Sequence, residues 1–339
     1  DSRIVDDSTF FIPLKGENSD GHDYINSAFE KGAIGTFTSK EIEATPGKAI
    51  IKVDDTLVAM QNVAKKLREK IKNIPLIAIT GSVGKTTTKD MVYAVLNSKY
   101  RTLKTKGNFN NNIGMPLTLI NYANEEAIVL EMGMNHLGEI SFLSDIAKPD
   151  TAIIINVGHS HIGNLGSREN ILKAKMEIVD GMANDGTLVI NGDNDMLKTV
   201  KNVKQKLIKF GFKDANDVTA YNIKVSDNAT EFMVKEDEKE YKVKLNLVGE
   251  NFIYNALAAW VIGKIYGIIP EDRVKALANC EFTKMRMNIE AKNDIILIND
   301  CYNASPESMK VALEALSKQE AKRKIAILGD MLELGEYSD

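Results

Sequence analysis

Apolar residues fall into three rhythms along the chain. From Pro75 onward, short unbroken apolar runs alternate with longer amphipathic stretches: "PLIAIT" at 75–80, "AIVLEM" at 127–132, "TAIIINV" at 151–157 and "TLVIN" at 187–191. Such runs suit strands buried on both faces of a parallel sheet, with the intervening stretches as crossover helices. Between Val218 and Val248 the pattern becomes period two ("VTAYNIKV", "TEFMVK", "YKVKLNL"), which predicts antiparallel strands on one edge. "NFIYNALAAWVIGKIYG" at 251–267 reads as a strong helix.

The flanks differ from this core. Residues 1–74 mix strands ("STFFIPL", "AIIKV") with helices ("DYINSAFEKGA", "TLVAMQNVAKKLREKI"), and the charged helix end followed by "NIP" places a boundary at Pro75. After Arg286 a new unit begins with strands "MNIEA" and "DIILIND", a helix from Pro306 capped by Ser305, and a strand "KIAIL". The expected class is therefore α/β. A small α/β N-terminal domain (1–74) precedes a central parallel-sheet domain with an antiparallel edge (75–285), and a third unit (286–339) is short for a complete domain. Asp1 at the start and the loop-like "LGEYSD" at the end lead to the expectation that the natural chain runs on at both ends.

Composition narrows the class. With 44% hydrophobic and 27% charged residues the chain reads as soluble and globular, and its 339 residues call for two or three cores. A net charge of −4 gives no electrostatic case for nucleic acid or an anionic membrane, and no apolar run is long enough to span one. Two cysteines, Cys280 and Cys301, cannot build a disulfide framework and fit a reducing cytoplasm.

One helix breaks the rules of its own pattern. In "NILKAKMEIVDGM" (170–182), winding at about 100° per residue puts Ile171, Leu172, Val179 and Met182 on one stripe. Lys175 falls at about 40°, inside that stripe, while Lys173 falls at about 200°, on the polar side. An inward ammonium either snorkels out along its stem or has a depressed pKa and does chemistry.

Other motifs cluster at the expected strand ends. "TGSVGKTTT" (80–88) follows a buried strand and opens a helix, as a phosphate loop requires, with Gly81 and Gly84 for close backbone approach, Lys85 for the β/γ oxygens and Thr86 for Mg²⁺. Its spacing departs from the standard phosphate loop, because position 79 is Ile; the competing reading is a glycine turn capping a helix. Glu131 ends its strand where open α/β sheets bind ligands, and reads as a metal ligand or a solvated terminus. "NVGHSHIGNLGS" offers His159 and His161, either exposed loop residues or part of the same site. "KGNFNNNIGMP" (106–116) is a solvated turn or a loop of amide donors over a phosphate. Asn251 and Asn255 share one helix face, as a cap with a solvated neighbour or as readers of a base edge.

Assembled, these residues resemble the Mur ligase family, the ATP-dependent amide-forming enzymes of peptidoglycan synthesis. The family's short loop T-G-x-x-G-K-[ST]-[ST] matches Thr80–Thr87. The likeness runs in order through "DSR", "DGHDY", "GNFNNNIGMPLTL", "EMGMNHLGEI", "NVGHSHIGNLGS", "KAKMEI", "GENFIYNALAA", "NDCYNASPESM" and "ILGDMLELG". "NFNNNIGMP", "EMGMNHLGEI" and "ILGDMLELG" resemble the branch that adds D-Ala-D-Ala.

The resemblance implies a uridine-nucleotide domain, a P-loop ATPase domain and a Rossmann-like C-terminal domain, here truncated. It implies ATP, two Mg²⁺ ions and a carbamylated lysine, with a UDP-N-acetylmuramoyl-tripeptide and D-Ala-D-Ala as substrates in cytoplasmic precursor synthesis, by a monomer. Lys85, Thr86 and Thr87, with Gly81 and Gly84, would hold phosphates. Thr86 and Glu131 would bind one metal, and His161 and the carbamate of Lys175 the second. Asn112 would sit by the transferred phosphate, with Asn110 and Asn111 toward the substrate. Asn255 and Asn251 would contact adenine, and Arg286 and Asp300 would close on ATP. Ser2, Arg3, Asp20 and His22 would face the UDP-sugar. Lys85, Lys175, His161 and Asn112 would then carry catalysis, by acyl phosphate formation and aminolysis. Competing readings are a folylpolyglutamate synthetase, against which "DSR" and "DGHDY" argue, a P-loop NTPase switch without ligation, and an inactive fragment.

Overall fold

The four unbroken apolar runs form the centre of one sheet. In the computed structural model, residues 2–226, 228–292 and 295–337 are described. Asp1, Asp294 at the head of one expected strand, and the last two residues of "LGEYSD" lie outside them.

The N-terminal stretch contains β1 (Phe10–Phe11), α1 (Ile25–Glu30), β2 (Gly35–Thr38), β3 (Ala49–Lys52) and α2 (Thr56–Lys70). Its three strands are parallel, in the order β1-β2-β3, over a core of Phe11, Ile25, Ala28, Phe29 and Ala33. "STFFIPL" pairs only at Phe10–Phe11, because Pro13 has no N–H to extend the ladder. Asp55 caps α2, accepting from Val58 N at 2.9 Å.

Next come β4 (Leu76–Thr80), α3 (Lys85–Asn97), β5 (Thr102–Lys104), α4 (Gly114–Ile120), β6 (Ala127–Glu131), α5 (Glu139–Ala147) and β7 (Thr151–Ile154). They are followed by α6 (Ile162–Leu165), α7 (Arg168–Met176), β8 (Thr187–Asn191), β9 (Lys206–Gly211), β10 (Val218–Val225), β11 (Thr230–Glu236), β12 (Lys239–Leu245), α8 (Asn251–Ile265) and α9 (Pro270–Ala278). Nine strands form one sheet in the order β12-β11-β10-β9-β8-β7-β4-β6-β5. It is parallel from β5 to β10 and antiparallel at β10-β11-β12, as the change of rhythm predicts. On one face α3 and α8 bury Met91, Val92 and Val95 with Ile253, Leu257 and Trp260. The other face is covered by α2, α5 and α7 through Ala64, Leu143 and Ile171. No helix among the described residues is long and apolar enough to cross a membrane.

β4 lies between β6 and β7, so the chain reverses its direction of travel across the sheet there. The carboxyl ends of these three strands open a crevice at that reversal.

Beyond α9, β13 (Asn288–Lys292) and β14 (Ile295–Asn299) form an antiparallel pair, followed by α10 (Pro306–Lys318). Ser305 caps α10 in a capping box with Ser308, and Pro306 is its first residue. The expected strand "KIAIL" does not form. Ile325, Ile327 and Leu328 are exposed, and no described strand runs beside them to pair. The expected helix 170–182 is also shorter: α7 ends at Met176 and tightens into a 3₁₀ turn at Glu177–Val179. Glu177 there accepts from Gly138 N at 2.8 Å, and Ser144 Oγ donates to Ile178 O at 2.6 Å; these bonds draw the backbone toward α5.

Arg68 fastens α2 to the central sheet. Its buried guanidinium donates to Ala147 O, Ile71 O, Ile74 O and Lys148 O, and pairs with Asp150 at 3.0 Å. Arg68→Ala should destabilise the protein by about 3 kcal/mol, because it leaves several buried acceptors unpaired. Lys65→Ala, which removes an exposed pair with Asp145, should change stability by less than about 1 kcal/mol. Urea unfolding of the two variants checks the contrast.

Candidate active site

The phosphate loop forms where β4 ends. Gly84 has a φ of +81°, a conformation favouring glycine, and a Cβ there would meet Asn255 Nδ2 at 2.7 Å. Asn156, just beyond β7, holds the loop in shape. Its Oδ1 accepts from Ser82 N and Val83 N at 3.0 Å each, and its Nδ2 donates to Val83 O. Ser82 Oγ in turn accepts from Gly158 N at 2.9 Å. No side chain caps the first turn of α3, so its amides are available to an anion. Lys85 Nζ donates to Gly81 O at 2.8 Å and Ser82 O at 3.2 Å. Burial holds its pKa below the usual value, against the pull of Glu131.

Glu131 is buried at the end of β6. Asn110 Nδ2 donates to its Oε1 at 2.8 Å, and its Oε2 has no partner. The other asparagines of this loop do different work. Asn111 Oδ1 accepts from Gly114 N at 2.8 Å and so starts α4, while Asn112 is fixed through its carbonyl by Gln61 Nε2 at 2.8 Å.

Lys175 is 1% exposed beside Ile171, Ala174 and Ile178, whereas Lys173 is exposed. The helical periodicity therefore identifies the buried lysine. Burial, reinforced by the nearby Lys85 charge, pushes the Lys175 pKa well below its usual value. His161 lies close enough to feel both lysines, and burial keeps its pKa low. Its backbone φ is +66°, and its Nδ1 lies 2.5 Å from Glu333 Oε2. His159 Nδ1 and backbone N lie 2.7 and 2.8 Å from Glu307 Oε1.

These elements surround a cavity of about 1390 Å³. Gly84, Lys85, Thr86, Thr87, Asn110, Asn111, Asn112, Glu131, His161, Asn251, Asn255, Arg286 and Asp300 line it. Lys175 and Gly81 are not among the residues that line it. Asn255 faces the phosphate-loop helix: its Nδ2 donates to Thr88 Oγ1 at 2.7 Å and Gly84 O at 3.3 Å. The Arg286 guanidinium stacks 4.0 Å over the Tyr302 ring, and Asp300 Oδ1 accepts from Met287 N. Ser2, Arg3, Asp20 and His22 do not line the cavity. Asp20 and His22 form a separate cluster with Ser39 and Lys40: His22 Nδ1 lies 2.6 Å from Asp20, Ser39 N donates to His22 Nε2 at 3.1 Å, and Lys40 pairs with Asp20 at 2.9 Å.

Sequence reasoning missed several contributors. Lys89 is fully buried one turn after Lys85, with Nζ 3.6 Å from Asp90 and 3.4 Å from Gly107 O; its i+4 spacing from Lys85 was a legible signal. Gln61, Asn156, Glu307 and Glu333 act through partners distant in sequence and carried no such signal.

A phosphate loop and an acidic strand end at a topological switch, under a C-terminal roof, define a phosphate-loop nucleotide-binding protein of the α/β class. The family models for the Mur ligase middle domain and for the Mur ligase, glutamate ligase domain match residues 79–263 and 285–339. The chain belongs to the Mur ligase family. It is 42% identical, over all of its length and 74% of the relative's, to the UDP-N-acetylmuramoyl-tripeptide–D-alanyl-D-alanine ligase of Bacillus subtilis. A MurF crystal structure from Acinetobacter baumannii superposes with a TM-score of 0.91 at 33% identity, covering 100% of this chain and 74% of that one. MurF from Thermotoga maritima in complex with ADP gives 0.87 at 30% identity, covering 100% and 78%.

Asn156→Ala removes two loop-shaping acceptor contacts at once. It should weaken ADP binding about tenfold in calorimetric titration while the melting temperature falls little.

Proposed function

We propose that this chain is an ATP-dependent ligase joining D-Ala-D-Ala to a UDP-N-acetylmuramoyl-tripeptide, working as a monomer in cytoplasmic peptidoglycan precursor synthesis. The observation that carries this reading is a single cavity lined by the phosphate loop, Glu131, His161 and, from the C-terminal stretch, Arg286 and Asp300. The relatives named above support the substrate assignment. In this reading residues 1–74 serve the UDP-sugar, 75–285 the nucleotide, and 286–339 closure.

The first amides of α3, from the turn of Gly81 and Gly84 through Thr86 and Thr87, bind the β/γ phosphates, and Lys85 exchanges its carbonyl partners for phosphate oxygens. Asn251 and Asn255 border adenine. Asn112 borders the transferred phosphate, Asn110 and Asn111 the substrate, and Arg286 and Asp300 close on ATP. Ser2, Arg3, Asp20 and His22 serve the UDP-sugar, at a distance from the reacting groups.

The site fits Mg²⁺. Glu131 Oε2 is a buried carboxylate oxygen without a partner, and the Thr86 hydroxyl lines the same cavity. Among the described residues no three His, Cys, Asp or Glu cluster as a closed metal site, so phosphate oxygens would complete the shell. A second ion would be held by His161 and Lys175. Lys175 as an amine offers no oxygen to a hard cation, but its buried, low-pKa amine can add CO₂ to form a carbamate that does. Bound there, Mg²⁺ would neutralise the crowded phosphate and carboxylate oxygens.

The chemistry is acyl activation. A substrate carboxylate oxygen bonds to the γ-phosphorus as the β–γ bridging bond breaks, giving an acyl phosphate and ADP. The D-Ala-D-Ala amine then bonds to the acyl carbon, the C–O bond to phosphate breaks, and the amine's proton leaves to phosphate or solvent. The protein's part is to align these groups and to exclude the water that would hydrolyse the acyl phosphate.

Phosphate release with mass spectrometry tests the reading, using lysine- and diaminopimelate-containing tripeptides with D-Ala-D-Ala. An amide product and substrate-stimulated phosphate release are expected. Absence of product with both tripeptides overturns it, and phosphate release indifferent to substrates identifies an NTPase switch instead. Lys175→Ala should abolish ligation and be partly rescued by acetate, whereas Lys173→Ala should match the wild type. A ¹³C carbamate signal from bicarbonate-fed protein should vanish in Lys175→Ala alone.

A further inference from the structure

Lys89 is a buried cation to which the ligation chemistry assigns no role. It lies on α3 one turn beyond Lys85, on the same side of the helix, is 0% exposed and does not line the cavity. Its company is thin for an ammonium with three protons to place. Nζ is 3.6 Å from Asp90 Oδ1 and donates to Gly107 O over 3.4 Å. Asp90 does not depend on it: Lys104 Nζ donates to Asp90 Oδ1 at 2.8 Å, and Thr283 N and Oγ1 donate to Oδ2 at 2.9 and 2.8 Å. Gly107 is itself exposed, so water is at hand for its carbonyl. An uncharged chain of the same length would fill the space at less cost, since a buried ammonium is unfavourable unless well paired. Stability therefore does not explain the charge.

What the charge reaches is the root of the asparagine loop. Thr105, at its start, is buried and tied to β6: its N donates to Val129 O at 3.0 Å, and its Oγ1 accepts from Glu131 N at 3.0 Å. Residues 106–109 are exposed, and Gly107 turns the backbone with a φ of +52°. The loop returns at Asn110, whose O accepts from Gly133 N at 2.9 Å and whose Nδ2 donates to Glu131 Oε1 at 2.8 Å. The fit there is close, for a Cβ on Gly133 would lie 2.9 Å from Asn110 Oδ1. Lys89 thus grips the exposed span between two fixed points, from the helix that carries Lys85. Glu131 is near enough for its charge to favour the ammonium.

We propose that Lys89 is the positioning residue of the asparagine loop: by holding Gly107 O against α3 it sets where Asn110 meets Glu131 and ties that contact to the phosphate-loop helix. It touches no ligand and acts through Asn110. Its effect on ligation rests on the function proposed above; its hold on the loop does not.

Lys89→Met, which keeps the stem and removes the charge, separates position from stability. In the full chain the melting temperature should stay level or rise, while the amides of Asn110 and Gly133 lose hydrogen-exchange protection. The kcat for ligation should fall about tenfold, as when a partner behind a ligating group is lost. Lys89→Arg, which keeps a charged donor, should recover part of both. Adding Lys89→Met to Asn110→Ala should cost little more than Asn110→Ala alone, because the two act in series. Unchanged exchange at Asn110 and Gly133 in Lys89→Met overturns the proposal whatever the kinetics. So do losses that add in the double variant, or a fall in kcat that tracks a fall in melting temperature, which marks a packing contact. If Lys89→Met does not fold, Lys89→Gln, too short to reach Gly107 O, carries the same readouts. Absence of ligation in the wild type counts against the proposed function, and the exchange then decides the role of Lys89 by itself.

Discussion

Positive charge held away from water organises this molecule. Lys89 is buried and Lys85 half-buried near the carboxyl ends of β4 and β6, and burial lowers the pKa of both. Glu131 and Asp90 are the buried carboxylates that face them. Cations held at such depth are unfavourable in isolation and become favourable beside an anion. The fold supplies the place. Parallel strands with both faces covered exclude water, and the reversal of strand order at β4 opens a crevice with phosphate-loop amides on one side and a strand-end carboxylate on the other.

Around that charge, the polar residues divide into those that could touch a ligand and those that hold the first group still. Asn156 shapes the phosphate loop, Asn110 orients Glu131, and Gln61 steadies the loop carrying Asn112. Asp90 joins the phosphate-loop helix to the start of the C-terminal stretch, accepting from Lys104 at 2.8 Å and from Thr283 N and Oγ1 at 2.9 and 2.8 Å. Thr283 is thereby bonded directly to the phosphate-loop helix, five residues beyond Lys85.

Periodicity and local chemistry made much of this legible from the sequence. The buried strands, the antiparallel edge, the phosphate loop, the Ser305 cap and the inward Lys175 each follow from residues close together in the chain. The errors share a cause. "KIAIL" has strand composition, but a strand needs a neighbour, and composition says nothing about neighbours. The short β5 and the half-polar β9 carry too weak a rhythm to stand out. Asn156, Glu307 and Glu333 matter only through contacts across dozens of residues or more, and a loop asparagine or a surface glutamate has no local mark to distinguish it. The cluster of Asp20 and His22 was legible as a motif but not as a place, since its distance from the cavity is a property of the assembled fold.

The two walls of the cavity are built on different terms. On one side α2 is fixed to the sheet by the five-point grip of Arg68 and reaches the asparagine loop through Gln61. On the other, the C-terminal stretch meets the histidine loop through two carboxylates and one glycine contact. Ordering the first wall belongs to folding itself, so a ligand arriving there finds it preformed. If the second wall docks only as a ligand arrives, part of the free energy of binding goes into ordering it, and whatever seats it first spares the next ligand that cost.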